Sequence, residues 1–218
     1  MRQMDRYRYL VAAFLTGVIF LTGVLVSDAA DSFRSQELKT ELEQDLVQLE
    51  SSQIQLNYLR SENVSCSTMK AGLRSIVEGY NDRLSKVQRF QERSLLNSER
   101  FELLKKRYTN SGLRYWMFAR NMKSECGYSP DIVLFFTSSI GDKSCEKCQM
   151  MGEQLSLLKK ERGRDLLVFS VPTESDSGMA DLLQKKYGVE DPPAAVINGN
   201  RTLMGYKSLS ELKSVLGS

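Results

Sequence analysis

The sequence predicts a mixed α/β domain at the C-terminal end, carried behind an apolar segment and a long helical region. Three observations predict it. After residue 131, short β-branched and aromatic runs alternate with stretches of helical spacing. Residues 31–60 hold neither Gly nor Pro, and no charged residue lies between Arg8 and Asp28. The chain divides on this reading into a basic tip and anchor over 1–30, a helical stalk or hairpin over 31–126, and an α/β domain over 127–218.

The 19 uncharged residues after Arg8 form the first element. At about 1.5 Å per residue a helix of that length covers roughly 28 Å, enough for one hydrocarbon core. The apolar part runs from Leu10 to Val26, and a cleaved signal peptide with its site at Ser27-Asp28-Ala29 is the competing reading. Signal h-regions run about 7–15 residues, so length favours an uncleaved single span. Arg2, Arg6 and Arg8 precede the span and acidic residues follow it. That order puts the N-terminus in the cytoplasm and the body outside.

Residues 31–60 come next, with charges alternating with leucines. Leu42, Leu46, Leu49 and Leu56 fall on a heptad seam with Gln53 at a core position. The seam fits a coiled coil with a second chain, or packing on a neighbouring helix of the same chain. A second helix begins near Ser67 or Thr68, with Leu73, Val77, Tyr80, Leu84 and Val87 on its stripe, then Phe101, Leu104 and Tyr108. Asn110-Ser111-Gly112 reads as its stop. A third, shorter helix over Leu113 to Lys123 carries Tyr115, Trp116, Phe118 and Met122, a surface for seating the α/β domain. Lys105-Lys106-Arg107 and Lys159-Lys160 read as solvated helix ends.

Ile132 to Phe136 then reads as a buried strand, followed by Cys145-Glu146-Lys147-Cys148 and a helix marked by Met150, Met151, Leu155 and Leu158. A cysteine at a helix N-terminus meets unpaired N–H groups that favour a thiolate, and two intervening residues let the second sulfur close a disulfide. Zinc sites use the same spacing. Leu166 to Val171 is a second strand, and a helix from Asp181 to Tyr187 stops at Gly188. Pro192-Pro193 opens a third strand through Ile197; Asn198-Gly199-Asn200 turns into a fourth at Thr202-Leu203-Met204, and a helix spans Leu209 to Leu216.

This order, from about Asp131 to the C-terminus, resembles the thioredoxin fold. The resemblance implies that Cys145 attacks, that Cys148 resolves, and that Pro193 is the cis-proline beside them. The chain departs from thioredoxins proper in having Ser144 before the first cysteine, where they carry Trp. It has no acid inside the first strand, and Glu-Lys between the cysteines. The family's potential and substrates therefore do not carry over, and Lys143 or Lys147 joins the helix terminus as a means of lowering the Cys145 pKa.

Cys66 and Cys126 flank the second and third helices and are read as a structural bridge, two unrelated thiols, a second redox pair, or the other half of a zinc site. The chain has no His, which excludes Ser-His and Cys-His catalysis and His-based metal sites. The net charge is +3, of which the first eight residues supply +2 (three Arg less Asp5), so nothing calls for nucleic acid. Asn63-Val64-Ser65 and Asn200-Arg201-Thr202 match the N-glycosylation sequon. The functional expectation is a membrane-anchored thiol–disulfide oxidoreductase acting on protein thiols, with no cofactor and no metal. The alternative is a non-catalytic assembly factor, its helices binding a helical partner or a second copy.

Overall fold

The structure, a computed structural model, describes residues 2–61, 64–92, 98–127, 130–139, 144–175 and 177–217. The chain divides into two compact units, 1–48 and 49–218. One helix, α1, runs Arg2–Leu59. Within the first unit its apolar side chains Phe14, Ile19, Phe20, Leu21 and Leu25 are exposed. Among the described residues no helix is long and apolar enough to cross a membrane. The expected span over Leu10–Val26 falls within α1, and the side chains of Leu10 and Ala12 are not among those described.

The second unit joins a helical layer to a four-stranded sheet. After the end of α1 come α2 (Cys66–Glu92) and α3 (Ser98–Glu125), then β1 (Asp131–Thr137) and α4 (Glu146–Arg162). A short 3-10 turn leads to β2 (Leu166–Pro172), α5 (Gly178–Tyr187), β3 (Ala194–Ile197), β4 (Arg201–Met204) and α6 (Leu209–Leu216). The order across the sheet is β2-β1-β3-β4. β1 runs parallel to β2 and antiparallel to β3, and β3 runs antiparallel to β4.

Register explains the pattern of burial. Val133 stands opposite Val168 and Ile197, and Phe135 opposite Ala195, so these side chains share one face. There they meet Met151, Leu155 and Leu158 of α4 and Leu212 and Leu216 of α6. Leu134, Phe136, Phe169 and Val196 point to the other face, and all are fully buried. α3 packs on that side, against β1 and β2, and α5 meets α3. With both faces covered, β1 has to be apolar at nearly every position, which is why it reads as a continuous run.

Two helix boundaries differ from the sequence reading. The long second helix is two helices, and Ser65, not Ser67 or Thr68, caps α2, its hydroxyl accepting from the Thr68 N–H at 3.3 Å. Asn110-Ser111-Gly112 is no stop, since α3 runs straight through it. The reason is contact with its neighbour. A Cβ on Gly112 would sit 2.5 Å from the Tyr80 hydroxyl oxygen, so the missing side chain lets α2 and α3 approach. Tyr80 packs edge-on to Tyr115 at 5.6 Å and tilted to Phe169 at 6.4 Å. Its hydroxyl is buried without a hydrogen-bond partner among the described residues, and burial raises its pKa well above the ordinary phenol value.

Gly112→Ala should therefore destabilise the unit by about 1–3 kcal/mol through overpacking, although Ala is the better helix former. Tyr80→Phe should stabilise it by about 1 kcal/mol, because an unpaired buried hydroxyl is removed. Combined, the two should be clearly non-additive in chemical denaturation, since the same hydroxyl causes both effects.

The heptad seam also shifts. From residue 49 onward Leu49, Ser52, Leu56 and Leu59 are the buried positions, and Gln53 stays half-exposed. Leu46 is half-buried, and the Leu42 side chain lies outside those described. The seam over 49–59 packs inside its own unit, with Leu59 filling the space over Gly72, where a Cβ would lie 2.5 Å from Leu59 Cδ1. The missing side chain of Gly72 allows that approach, and with Ser52 turned inward the Gln53 amide is spared full burial. Here the pairing read as a coiled coil is met by the chain's own helices.

Candidate thiol–disulfide site

The site is built at the end of β1. Beyond the strand, the Thr173 N–H donates to the Thr137 carbonyl at 2.7 Å and the Glu174 N–H to the Ser138 carbonyl at 3.1 Å. Ser139 is held from the other side by Lys105 of α3, whose Nζ donates to its Oγ at 3.0 Å. The chain re-enters at Ser144, and Cys145 is the N-cap of α4. Below it, Met151, Leu155 and Leu158 anchor the helix in the core.

Cys145 and Cys148 are joined in a disulfide, with their Cα atoms 5.2 Å apart. The two sulfurs are not equivalent. Cys145 is half-exposed, whereas Cys148 is 4% exposed. The Cys148 N–H donates to Cys145 Sγ at 3.2 Å, and the Gln149 N–H donates to the Cys145 carbonyl at 3.1 Å. A first-turn donor thus already points at the outer sulfur, where negative charge would collect on reduction. Glu146 and Lys147 are exposed in that turn, and Lys143 lies outside the described residues.

Pro193 is buried directly before β3, and the Pro192-Pro193 peptide bond is cis. Phe136 pairs with Ala194, so Pro193 lies at the C-terminal end of β1, the end from which the chain departs toward Cys145. The Asn198-Gly199-Asn200 turn lies at the opposite end. There the Asn198 side chain accepts from the Ile132 N–H and from Lys123, and donates to Asp131, which pairs with Arg162 at 2.9 Å. Asn200 is exposed in this turn, and Asn63 lies outside the described residues.

Cys66 and Cys126 form a second disulfide, with Cα atoms 5.5 Å apart. It joins the first residue of α2 to the residue after α3, so the two helices run in opposite directions and the bridge closes their open end. It lies before the entry to β1, and the Cys145–Cys148 pair follows the exit. The seven residues of β1 span roughly 23 Å at about 3.3 Å each. Sulfur exchange needs contact, so the two pairs do not form one relay in this arrangement. All four cysteines are paired in these two disulfides. Among the described residues no His, Cys, Asp and Glu cluster suits a metal ion.

The basic runs also differ from solvated helix ends. Lys105 lies inside α3 with its side chain 11% exposed, paired to Glu102. Lys159 reaches beyond α4 to the carbonyls of Gly163 and Leu166, and its burial lowers its pKa below the ordinary value. Neither contact is visible in local sequence. Trp116, Tyr115, Phe118 and Met122 are all buried in α3, with Arg120 over the Trp116 ring and Arg60 over that of Phe118.

No family model matches the chain, and no curated relative does. Solved structures are similar to part of it. One is thioredoxin-2 of the malaria parasite, described as a component of that parasite's protein secretion machinery. It is 21% identical and has a TM-score of 0.34, over 40% of this chain and 82% of that one. Thioredoxin O2 from Arabidopsis thaliana, in its oxidized state, is 21% identical over 46% of this chain and 84% of its own, with a TM-score of 0.35. The germline-specific Deadhead protein of Drosophila melanogaster is 20% identical over 46% and 90%, with a TM-score of 0.32. All three are thioredoxins. At these TM-scores they add nothing to the strand order and register already described.

Proposed function

We propose that this chain is a thiol–disulfide oxidoreductase, anchored in a membrane by its N-terminal segment and acting on protein thiols and disulfides outside the cytoplasm. The carrying observation is the asymmetry of the Cys145–Cys148 pair. The half-exposed sulfur sits at a helix N-terminus, with the buried sulfur one turn behind it. In the reducing direction the Cys145 thiolate attacks a substrate disulfide, forms a mixed disulfide and releases one substrate thiolate. Cys148 then attacks Cys145 Sγ and releases the second, so two electrons pass to the substrate and the pair is oxidised. The oxidising direction is the reverse. Pro193 borders the groove in which the client lies. No cofactor is needed, because the electrons come from thiols.

The anchor rests on the uncharged residues 9–27 with arginines before them, and on the exposed apolar side chains of α1. Intact cells treated with a reductant and then a membrane-impermeant maleimide should show labelled Cys145; labelling only after lysis would reverse the orientation. The test of the activity is equilibration of the full chain, in detergent, against a series of glutathione ratios. A catalytic pair should interconvert within the accessible range. A pair that stays oxidised throughout would favour the assembly-factor reading, with the disulfide as a structural clip.

A further inference from the structure

We propose that Asn200 is an N-glycosylation site, taking an oligosaccharide on its side-chain amide; this rests on the reading that the body lies outside the cytoplasm. Asn200-Arg201-Thr202 is a complete acceptor sequence, with no Pro at its middle position. A three-residue match is common by chance, so the deciding point is whether the fold leaves room for a sugar chain. The turn between β3 and β4 holds two asparagines, and the structure uses them in opposite ways. The Asn198 side chain is spent inside the protein, accepting from the Ile132 N–H and Lys123 and donating to Asp131. Asn200 is tied by its backbone, whose N–H donates to the Ile197 carbonyl at 3.2 Å, and the residue is exposed.

Gly199, between them, marks the inner side of the turn. Its φ is +76°, and a Cβ there would lie 2.7 Å from Arg120 Cζ. Arg120 in turn lies over the Trp116 ring at 5.1 Å and donates to the Tyr187 hydroxyl at 3.4 Å. α3 therefore closes that side of the turn, and Asn200 is left on the solvent side. β4, which follows it, is the last strand of the sheet. A hydrated sugar chain beside such an edge opposes pairing with another chain. The Cys145–Cys148 pair lies at the other end of the sheet, so a glycan here leaves it open to clients. The donor is an oligosaccharide carried on a lipid pyrophosphate, presented by a transferase. Asn200 Nδ2 bonds to the anomeric carbon of the first sugar, and the bond from that carbon to the pyrophosphate oxygen breaks. The lipid pyrophosphate leaves with the electron pair, and an amide proton passes to a base of the transferase. Nothing is oxidised or reduced.

The full chain should be isolated from the membranes of the cells that make it, and its glycopeptides read site by site by mass spectrometry. The peptide carrying Asn200 should bear a glycan that is lost entirely in Asn200→Gln and in Thr202→Ala and retained in Thr202→Ser. Asn200→Gln alters an exposed side chain and so keeps the fold; it decides the matter if Thr202→Ala is unstable. In parallel, Cys145 is labelled in reduced, intact cells with the impermeant maleimide. An unmodified Asn200 in cells whose Cys145 is labelled from outside overturns the glycan and leaves the orientation intact. A glycan found on Asn63 alone does the same. An unmodified Asn200 with Cys145 labelled only after lysis overturns both.

Discussion

A Cys148→Ser variant is expected to accumulate mixed disulfides with client proteins, and Cys145→Ser to accumulate none. The half-exposed sulfur makes the attack and the buried one makes the release, so removing the second cysteine stops the cycle with the client attached. Serine keeps the size of the side chain and leaves α4 seated on Met151 and Leu155. Non-reducing electrophoresis after acid quench of cells expressing each variant gives the readout, with reduction collapsing the adducts. The effect should be nearly all-or-none. If Cys148→Ser yields no adduct although Cys145 reacts with iodoacetamide, the enzyme reading fails and the fold stands.

Removing the other disulfide should produce the largest loss of stability. The Cys66–Cys126 bridge closes a loop with a sequence separation of 60, for which chain-entropy estimates give about 4 kcal/mol. In a protein of this size that corresponds to roughly 8–16 °C in melting temperature. The Cys66→Ser, Cys126→Ser double variant keeps the Cys145–Cys148 pair and leaves no odd thiol. Wild type melted in a strong reductant should approach the variant's temperature. A variant that melts within two or three degrees of oxidised wild type, about the effect of 1 kcal/mol, would mean that α2 and α3 are held by packing alone.

Much of the second unit was legible because its physics is local. β1 is covered on both faces, so Ile132 to Phe136 had no room for polar residues. Gly188, in the left-handed conformation after α5, ends that helix as the sequence reading placed it. The two cysteines at 145 and 148 announce their spacing directly. The errors have one cause in common, that the deciding contact lies far away in sequence. Gly112 looks like punctuation until Tyr80 is seen beside it, 32 residues earlier. Gln53 fits a heptad as well as Ser52 does until Gly72 shows which face the helix presents. Lys105 reads as a solvated charge in a run of three, and only its pairing with Ser139 sets it apart. The uncharged stretch over residues 9–27 differs, since the expectation there rests on the absence of charge in the sequence.

The placement of α3 over the sheet has a practical consequence for anyone dividing this protein. A fragment beginning at residue 127 would look like a complete small α/β domain on paper. It would lack α3, which packs on β1 and β2, and so would expose apolar side chains such as Leu134, Phe136 and Phe169 that are buried in the whole unit. Such a piece is expected to aggregate rather than to report on the chemistry of Cys145. A cut between Gln48 and Leu49, where the two compact units part, keeps α2, α3 and their bridge with the sheet, and removes the segment proposed to lie in lipid. The working cartridge of this molecule is some eighty residues longer than its strands and sulfur pair suggest.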